Sequence, residues 1–146
     1  ALGGWHSRDT LHRAAEFAIL SRAVRDLATQ VAEDLNYQSA PGIVGMWAIT
    51  NAPGAANRSH VHPGSLWSGV YYVQVPEGAG NIAFTDPRTA NLMRQPRYTQ
   101  RPDVCRPSIT VTPEAGMLLL FPSWLYHEVH PNRSSDERII ISFNLA

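Results

Sequence analysis

Residues 113–129 read PEAGMLLLFPSWLYHEV, and residues 137–145 read ERIIISFNL. Gly116 precedes an apolar run, and a Phe-Pro corner then leads to a second short run that contains His127. Short apolar runs of roughly four to eight residues, bounded by turn residues, are typical of buried β-strands. The two stretches therefore predict three consecutive strands, at 117–121, 126–129 and 138–145.

Similar short runs extend back through most of the chain. They lie at 43–51, 60–62, 68–75, 81–85 and 108–112, and many of the eleven Pro and ten Gly residues fall between them. Seven or eight short strands of this kind indicate a β-sandwich or barrel. Parallel βαβ units are not favoured, because no second helical pattern separates the strands.

One amphipathic helix precedes the strands. Its apolar residues recur at spacings of three and four, namely Phe17, Leu20, Val24, Leu27, Val31 and Leu35. The stretch QSAPG at 38–42 ends the pattern, because Pro and Gly do not continue a helix. We therefore expect a single domain over 1–146, with a helical segment at about 14–36 packed on a β-rich body at about 43–146.

Composition narrows the class of protein. The chain has 146 residues, and twelve Arg without any Lys balance twelve acidic residues. No basic stripe indicates nucleic acid, and no apolar run is long enough to cross a membrane. The lone Cys105 cannot form an internal disulfide, which fits a reducing compartment such as the cytoplasm. Cys105 also lacks the local signature of a reactive nucleophile.

His60 and His62 form the first candidate site. Residues i and i+2 of a strand point to the same face, so the two imidazoles can aim at one point. Neutral imidazole is a good ligand for iron, zinc, copper or nickel. A pair of histidines at this spacing also fits two ordinary surface residues.

His127 and Arg138 lie in the two C-terminal strands. His127 follows so much apolar sequence that it is either a core histidine or a metal ligand. Alternation places Arg138 and Ser142 on one strand face. A buried arginine requires an anionic partner, and its guanidinium matches a carboxylate. An edge-strand arginine that faces water or pairs with an acid is the alternative.

Taken together, these elements resemble the 2-oxoglutarate/Fe(II)-dependent oxygenase superfamily, and within it a group of uncharacterised 2OG-Fe(II) oxygenases. The matching blocks span nearly the whole chain: GWHS at 4–7, HVHPGSLWSGVYYV at 60–73, FTDPR at 84–88, FPSWLYHEV at 121–129 and ERIIISFN at 137–144. The resemblance implies a mainly β, double-stranded β-helix (jelly-roll) fold with the amphipathic helix packed on it.

The resemblance also implies the roles of individual residues. The metal histidines of the superfamily fall on His60 and His127, and the arginine that binds the far carboxylate of 2-oxoglutarate falls on Arg138. Tyr72 is expected to assist that carboxylate, and Ser142 to line the co-substrate pocket. The implied reaction uses Fe(II), O2 and 2-oxoglutarate to hydroxylate an unidentified substrate, with release of succinate and CO2.

His62 departs from the superfamily pattern. The usual second ligand, two residues after the first histidine, is Asp or Glu. The expected ligand set is therefore His60, His62 and His127. A different metal, or Asp86 as a substitute carboxylate, remains open. We expect His130 to be a surface residue and His6 and His12 to have no chemical role.

Three other readings remain open. A cupin-type three-His dioxygenase that does not use 2-oxoglutarate would carry the same histidines, although it need not keep Arg138. A non-catalytic metal- or ligand-binding jelly roll and a structural domain with incidental histidines are the others. Candidate pocket walls are Met46, Trp47, Trp67, Trp124 and the Arg-rich loop 87–107. Core positions are an equal alternative for these residues and the default for Trp and Met, and the loop is either a lid or a loose insertion.

Overall fold

The computed structural model describes residues 2–146, except for the side chains of residues 2 and 91. Within these residues, one α-helix, α1 (Ala18–Asp34), follows the first of eight strands. The strands are β1 (Leu2–His6), β2 (Ile43–His60), β3 (Trp67–Gln74), β4 (Ile82–Thr85), β5 (Ser108–Val111), β6 (Leu118–Pro122), β7 (Tyr126–Val129) and β8 (Arg138–Leu145). Single 3-10 turns lie at Leu11–Arg13, Ala15–Phe17, Thr89–Leu92 and Asp103–Cys105.

The strands form a jelly roll of two antiparallel sheets that share β2. The larger sheet has the order β1-β2-β8-β3-β6, and the smaller sheet has the order β5-β4-β7-β2. Residues 43–51 of β2 pair with β8, whereas Asn57 and His60 pair with β7. The predicted mainly β jelly roll is therefore confirmed.

Strand β2 differs from the sequence-based expectation. Two separate runs, at 43–51 and 60–62, were expected because Pro53 and Gly54 lie between them. The structure has one strand, and its pairing with β8 ends at Asn51, ahead of this dipeptide. Pro53 therefore lies where β2 leaves β8, so its missing N–H interrupts no bond to that strand. Strand β1 was not predicted, because its two glycines are unusual within a strand. It pairs with the edge of β2 opposite to β8.

Helix α1 covers the outer face of the larger sheet. Val24 and Ala28 pack against Met46, Ile141 and Phe143 in one apolar cluster. The buried face of the helix is narrower than the predicted stripe and consists of smaller residues. These buried residues are Ser21, Val24, Ala28 and Ala32. Small side chains let the helix approach the sheet closely, so the larger members of the stripe lie at its flanks. Leu35, beyond the end of the helix, is 51% exposed.

A second apolar cluster fills the space between the two sheets. Its buried members come from five strands and are Ile49, Val70, Tyr72, Ile82, Phe84, Phe121 and Ile140. Alternation along β3 places Tyr72 in this inner cluster, while Tyr71 packs on the helix side, as predicted. Side chains at the open end of the inner cluster therefore face the interior of the jelly roll.

No helix of the described residues combines the length and the apolar character that crossing a bilayer requires.

Gly69, in the middle of β3, provides a test of the core. A Cβ at this position would overlap the ring of Phe143 and lie 2.7 Å from the carbonyl oxygen of Leu119. We expect Gly69→Ala to lower the free energy of unfolding by about 1–3 kcal/mol, because overpacking displaces neighbouring groups. Thermal unfolding followed by circular dichroism measures the change. Gly42→Ala, where a Cβ meets nothing within 4 Å, is the matched control and should leave the melting temperature nearly unchanged.

Candidate active site

A cavity of about 370 Å³ opens between the two sheets. Its lining includes all six of the predicted site residues: His60, His62, Tyr72, His127, Arg138 and Ser142. Apolar side chains such as Ile49, Phe121 and Ile140 form much of the remaining wall. Small-molecule sites commonly combine an apolar wall with a few polar groups of this kind.

Pairing between β2 and β7 brings the histidines together. His60 is the last residue of β2 and lies directly opposite His127 in β7. His62 lies two residues beyond the end of β2, where its backbone N–H donates to the carbonyl oxygen of Ser123 at 3.0 Å. One ring nitrogen from each of the three imidazoles lies within 4.8 Å of the others. This arrangement could hold a metal ion.

Backbone hydrogen bonds orient two of the rings. Nδ1 of His127 lies 2.9 Å from the carbonyl oxygen of Leu125, and Nδ1 of His60 lies 2.7 Å from that of Arg58. A carbonyl oxygen only accepts, so each Nδ1 carries the proton and each Nε2 keeps a free lone pair. Such a bond is the usual way in which a metal-binding histidine is held in its ligand tautomer.

Burial favours the neutral form of His62 and His127. Desolvation, reinforced by His127 and His60, lowers the pKa of His62 to about 4. Desolvation also lowers the pKa of His127. The Nε2 atoms of His62 and His127 lie only 3.3 Å apart. Two nitrogen lone pairs at this distance repel each other unless a proton or a cation lies between them, which fits a metal-binding centre.

Arg138 lies at the start of β8 and is fully buried, with 0% of its surface exposed. Its guanidinium donates to the backbone carbonyl oxygens of Ala79 and Gly80 and, at 3.1 Å, to Oδ1 of Asn51. No ion pair between Arg138 and an acidic residue occurs in the described part of the chain, and its Nε has no hydrogen-bond partner. The positive charge is therefore buried among neutral acceptors.

Tyr72 lies near this charge. Burial raises the pKa of Tyr72 to about 12, and the positive charge of Arg138 acts in the opposite direction. The hydroxyl is therefore protonated at neutral pH and can donate a hydrogen bond. Ser142, four residues after Arg138 on β8, also lines the cavity. Of the described lining residues, none is Asp or Glu, whereas Arg58 and Arg138 are both present.

Asp86 does not join the histidine cluster. Its carboxylate accepts hydrogen bonds from Arg88, and the described group with metal-ligand spacing consists of the three histidines. His130 lies outside the cavity and 3.6 Å from Glu128.

The pocket walls match the prediction in part. Trp47 lines the cavity, but Met46 and Trp67 belong to the helix-side core, and Trp124 is 61% exposed outside the cavity. Residues of the 87–107 loop, including Cys105, are absent from the described lining. His6, expected to have no role, does line the cavity, because β1 pairs beside Ile49 of β2.

No local pattern in the sequence indicates the contacts that place His6 and Asn51. Both depend on the pairing of β1 and β8 with β2, which becomes visible only in the structure.

These features define a jelly-roll protein with a three-histidine cluster, a class that contains both enzymes and binding proteins. A family model described as "Putative 2OG-Fe(II) oxygenase" matches residues 45–144. The match covers more than two thirds of the chain, and the chain belongs to this family. No curated protein matches the chain in sequence.

Solved structures share the fold. A prolyl-4-hydroxylase from Pseudomonas putida has a TM-score of 0.67 and 18% identity, over 97% of this chain and 70% of that one. The epimerase SnoN, solved with Fe3+, alpha ketoglutarate and nogalamycin RO, has a TM-score of 0.71 and 15% identity, over 98% and 63%. An oxidoreductase of the 2OG-Fe(II) oxygenase family from Burkholderia pseudomallei has a TM-score of 0.61 and 16% identity, over 88% and 56%.

The chain spans little more than half of the Burkholderia protein and under two thirds of SnoN. At these identities the likeness extends to the fold alone.

Removal of His127 should eliminate metal binding. We expect His127→Ala to weaken the affinity for Fe(II), measured anaerobically by isothermal titration calorimetry, by more than about 100-fold, because groups that merely orient a ligand already contribute about 10–100-fold. His130→Ala removes a nearby histidine outside the cluster and is the control. Equal loss in both variants, or no loss in His127→Ala, would contradict the assignment.

Proposed function

We propose that the protein is an Fe(II)- and 2-oxoglutarate-dependent oxygenase that hydroxylates a substrate not yet identified and releases succinate and CO2. The observation that carries the proposal is the buried charge of Arg138, which has no acidic partner among the described residues and lies in the same cavity as three clustered imidazoles. Membership of the family supports the same reaction class.

The three imidazoles fit a resident iron. His60 and His127 present Nε2 lone pairs whose direction is set by hydrogen bonds at Nδ1, and the lowered pKa values of His62 and His127 keep both rings unprotonated at neutral pH. Imidazole suits iron as well as zinc and copper. We assign His60, His62 and His127 as the ligands. When bound, the iron would supply the activation of O2 that couples decarboxylation of 2-oxoglutarate to oxidation of the substrate.

Arg138 and Tyr72 would hold the far carboxylate of 2-oxoglutarate. The unpaired Nε of Arg138 and the protonated hydroxyl of Tyr72 are both donors, and a carboxylate accepts from both. Ser142 would line the same end of the pocket. Asn51 and the carbonyl oxygens of Ala79 and Gly80 hold the guanidinium in place, so its position does not depend on the ligand.

The apolar wall has its own role in the proposed reaction. Ile49, Phe121 and Ile140 are each at most 7% exposed and limit the access of water to the cavity. A dry wall strengthens the attraction between Arg138 and an anion, because screening by solvent is reduced. It also protects reactive species from side reactions with water.

A cupin-type dioxygenase without 2-oxoglutarate is the second candidate. The observation in its favour is the donor set, because His62 occupies the position at which the superfamily has a carboxylate. Such an enzyme does not need an anion-binding arginine in the cavity. The buried Arg138 therefore favours the first candidate, and binding of 2-oxoglutarate discriminates between the two.

Anaerobic titration of the Fe(II)-loaded protein with 2-oxoglutarate tests the proposal. Direct chelation should produce a saturable metal-to-ligand charge-transfer band in the visible range. We expect Arg138→Gln to bind Fe(II) normally but to need about 10- to 100-fold more 2-oxoglutarate for half-saturation, because a hydrogen bond to a charged group contributes about 1.5–3 kcal/mol. At a 2-oxoglutarate concentration that just saturates the wild-type protein, the variant should show a much weaker band while it retains iron.

Two further variants extend this test. Asn51→Asp places a carboxylate against the same guanidinium and should also weaken 2-oxoglutarate binding, since the cation would then be paired within the protein. Arg22→Gln, on the exposed face of α1, is the control for loss of a positive charge. An iron-loaded protein without any band would exclude the first candidate in favour of the cupin-type enzyme.

His62→Asp tests the unusual ligand. If His62 occupies the carboxylate position of the superfamily, the aspartate should retain Fe(II) binding within about tenfold of the wild-type affinity, whereas His62→Ala should weaken it further. Calorimetric titration with Fe(II) gives both values. Equal affinities for the two variants and the wild type would mean that His62 is not a ligand.

A further inference from the structure

A second hollow lies on the side of His127 away from Arg138. Cross-strand register places His60, His127, Phe84 and Ile109 opposite one another on β2, β7, β4 and β5. Side chains of directly opposed residues share one face of a sheet. The row therefore runs from the histidine cluster across the inner face of the smaller sheet to its edge, where a groove of about 340 Å³ opens.

The walls of this groove are apolar but not closed. They include Phe84, Pro87, Ile109, Trp124 and Leu125. Trp124 and Ile109 are 61% and 51% exposed. Large apolar side chains gathered at one exposed site mark interaction or ligand-binding surfaces more often than isolated ones do. A volume of this size falls in the range of small-molecule sites.

Arginine residues border the groove. Arg88 pairs with Asp86 and also donates to the carbonyl oxygen of Val104, and Arg106 pairs with Asp103 at 2.7 Å. A more polar hollow of about 470 Å³ adjoins the groove through the shared Arg106 and contains Arg101. Arg101 has no acidic partner in the described part of the chain and lies over the ring of Tyr98. One positive charge at this end is therefore uncompensated.

The groove is close to the histidine cluster. Phe84 and Leu125 line it, the ring of Phe84 lies 6.1 Å from that of His127, and the carbonyl oxygen of Leu125 accepts the hydrogen bond from Nδ1 of His127. An occupant of the groove is thus separated from His127 by a single layer of side chains. The cavity with Arg138 lies beyond the cluster.

We propose that this groove, lined by Trp124, Ile109 and Arg106, together with the adjoining hollow that contains Arg101, is a second ligand site for a small molecule with an apolar body and an anionic group. The proposal goes beyond the proposed oxygenase function, because the groove lies outside the cavity that contains Arg138. The apolar body lies against Trp124 and Ile109. The anionic group, a carboxylate, sulfonate or phosphate, lies toward Arg101 and Arg106.

Two fluorescent probes that differ by one charge test the groove. 8-Anilinonaphthalene-1-sulfonate carries a sulfonate, and N-phenyl-1-naphthylamine has the same rings without it. We expect the sulfonate probe to bind the wild-type protein at least fivefold more tightly than the neutral probe. Trp124→Ala should weaken both probes at least tenfold. The double variant Arg101→Gln/Arg106→Gln should weaken the sulfonate probe alone.

The controls match these variants in exposure and charge. Trp5→Ala removes a tryptophan that is also 61% exposed but lies on β1, and Arg22→Gln/Arg25→Gln removes two charges from α1. Neither should alter binding of either probe. Binding that is indifferent to Trp124→Ala would overturn the proposed site, and equal affinities for the two probes would overturn the proposed charge.

Paramagnetic broadening separates this proposal from the proposed function. With Mn(II) added, the proton resonances of the sulfonate probe should broaden in the wild-type protein and remain sharp in His127→Ala. If calorimetry shows that Mn(II) binds and the probe binds but stays sharp, the groove is not beside the metal centre and the proposal fails. If Mn(II) does not bind while the probe still depends on Trp124, the metal-centre assignment fails and the groove remains an anion-binding site only.

Discussion

Strand β2 pairs with β8 along residues 43–51 and with β7 at its end, so that a single strand belongs to both sheets. This shared strand sets the positions of the two polar centres in the cavity. Asn51, where β2 leaves the larger sheet, holds the guanidinium of Arg138, and His60, where β2 ends in the smaller sheet, lies opposite His127. A change in the register of β2 would therefore separate Asn51 from Arg138 and His60 from His127.

Burial of Arg138 has an energetic cost that the protein recovers only in part. Desolvation lowers the pKa of the guanidinium, and neutral acceptors offset less of the cost than a carboxylate would. Removing a buried cation from water without an acidic partner is unfavourable unless a ligand supplies the missing charge. Local stability sacrificed in this way is common at functional sites.

The sequence predicted the features that depend on local spacing. Alternation along β8 placed Arg138 and Ser142 on one strand face, the family resemblance pointed to Tyr72, and the helical period located α1. The features that it missed depend on pairing between distant strands. Continuity of β2 through Pro53 and Gly54, the role of β1, and the contact between Asn51 and Arg138 all require the register of strands that are far apart in the chain.

The burial of the large side chains proposed as walls of the cavity likewise depended on tertiary contacts. Tryptophan and methionine are ordinarily core residues, and Met46 and Trp67 do pack in the helix-side core. Trp124 looked equivalent in the sequence, but it follows Ser123, whose backbone is held between Leu66 and His62, and this corner carries the indole to the surface. The groove beside it could therefore not be predicted from composition.

Charge balance distinguishes the cavity from the groove. Three neutral imidazoles leave the charge of a divalent metal undiminished, and Arg138 adds a further positive charge that is buried. A 2-oxoglutarate dianion offsets two of these three charges, so one positive charge would remain beside His127. A carboxylate at the position of His62 would have removed that surplus. The groove with Arg106 and the adjoining Arg101 forms a separate positive region, so an anion bound there would be neutralised by arginine rather than by this surplus.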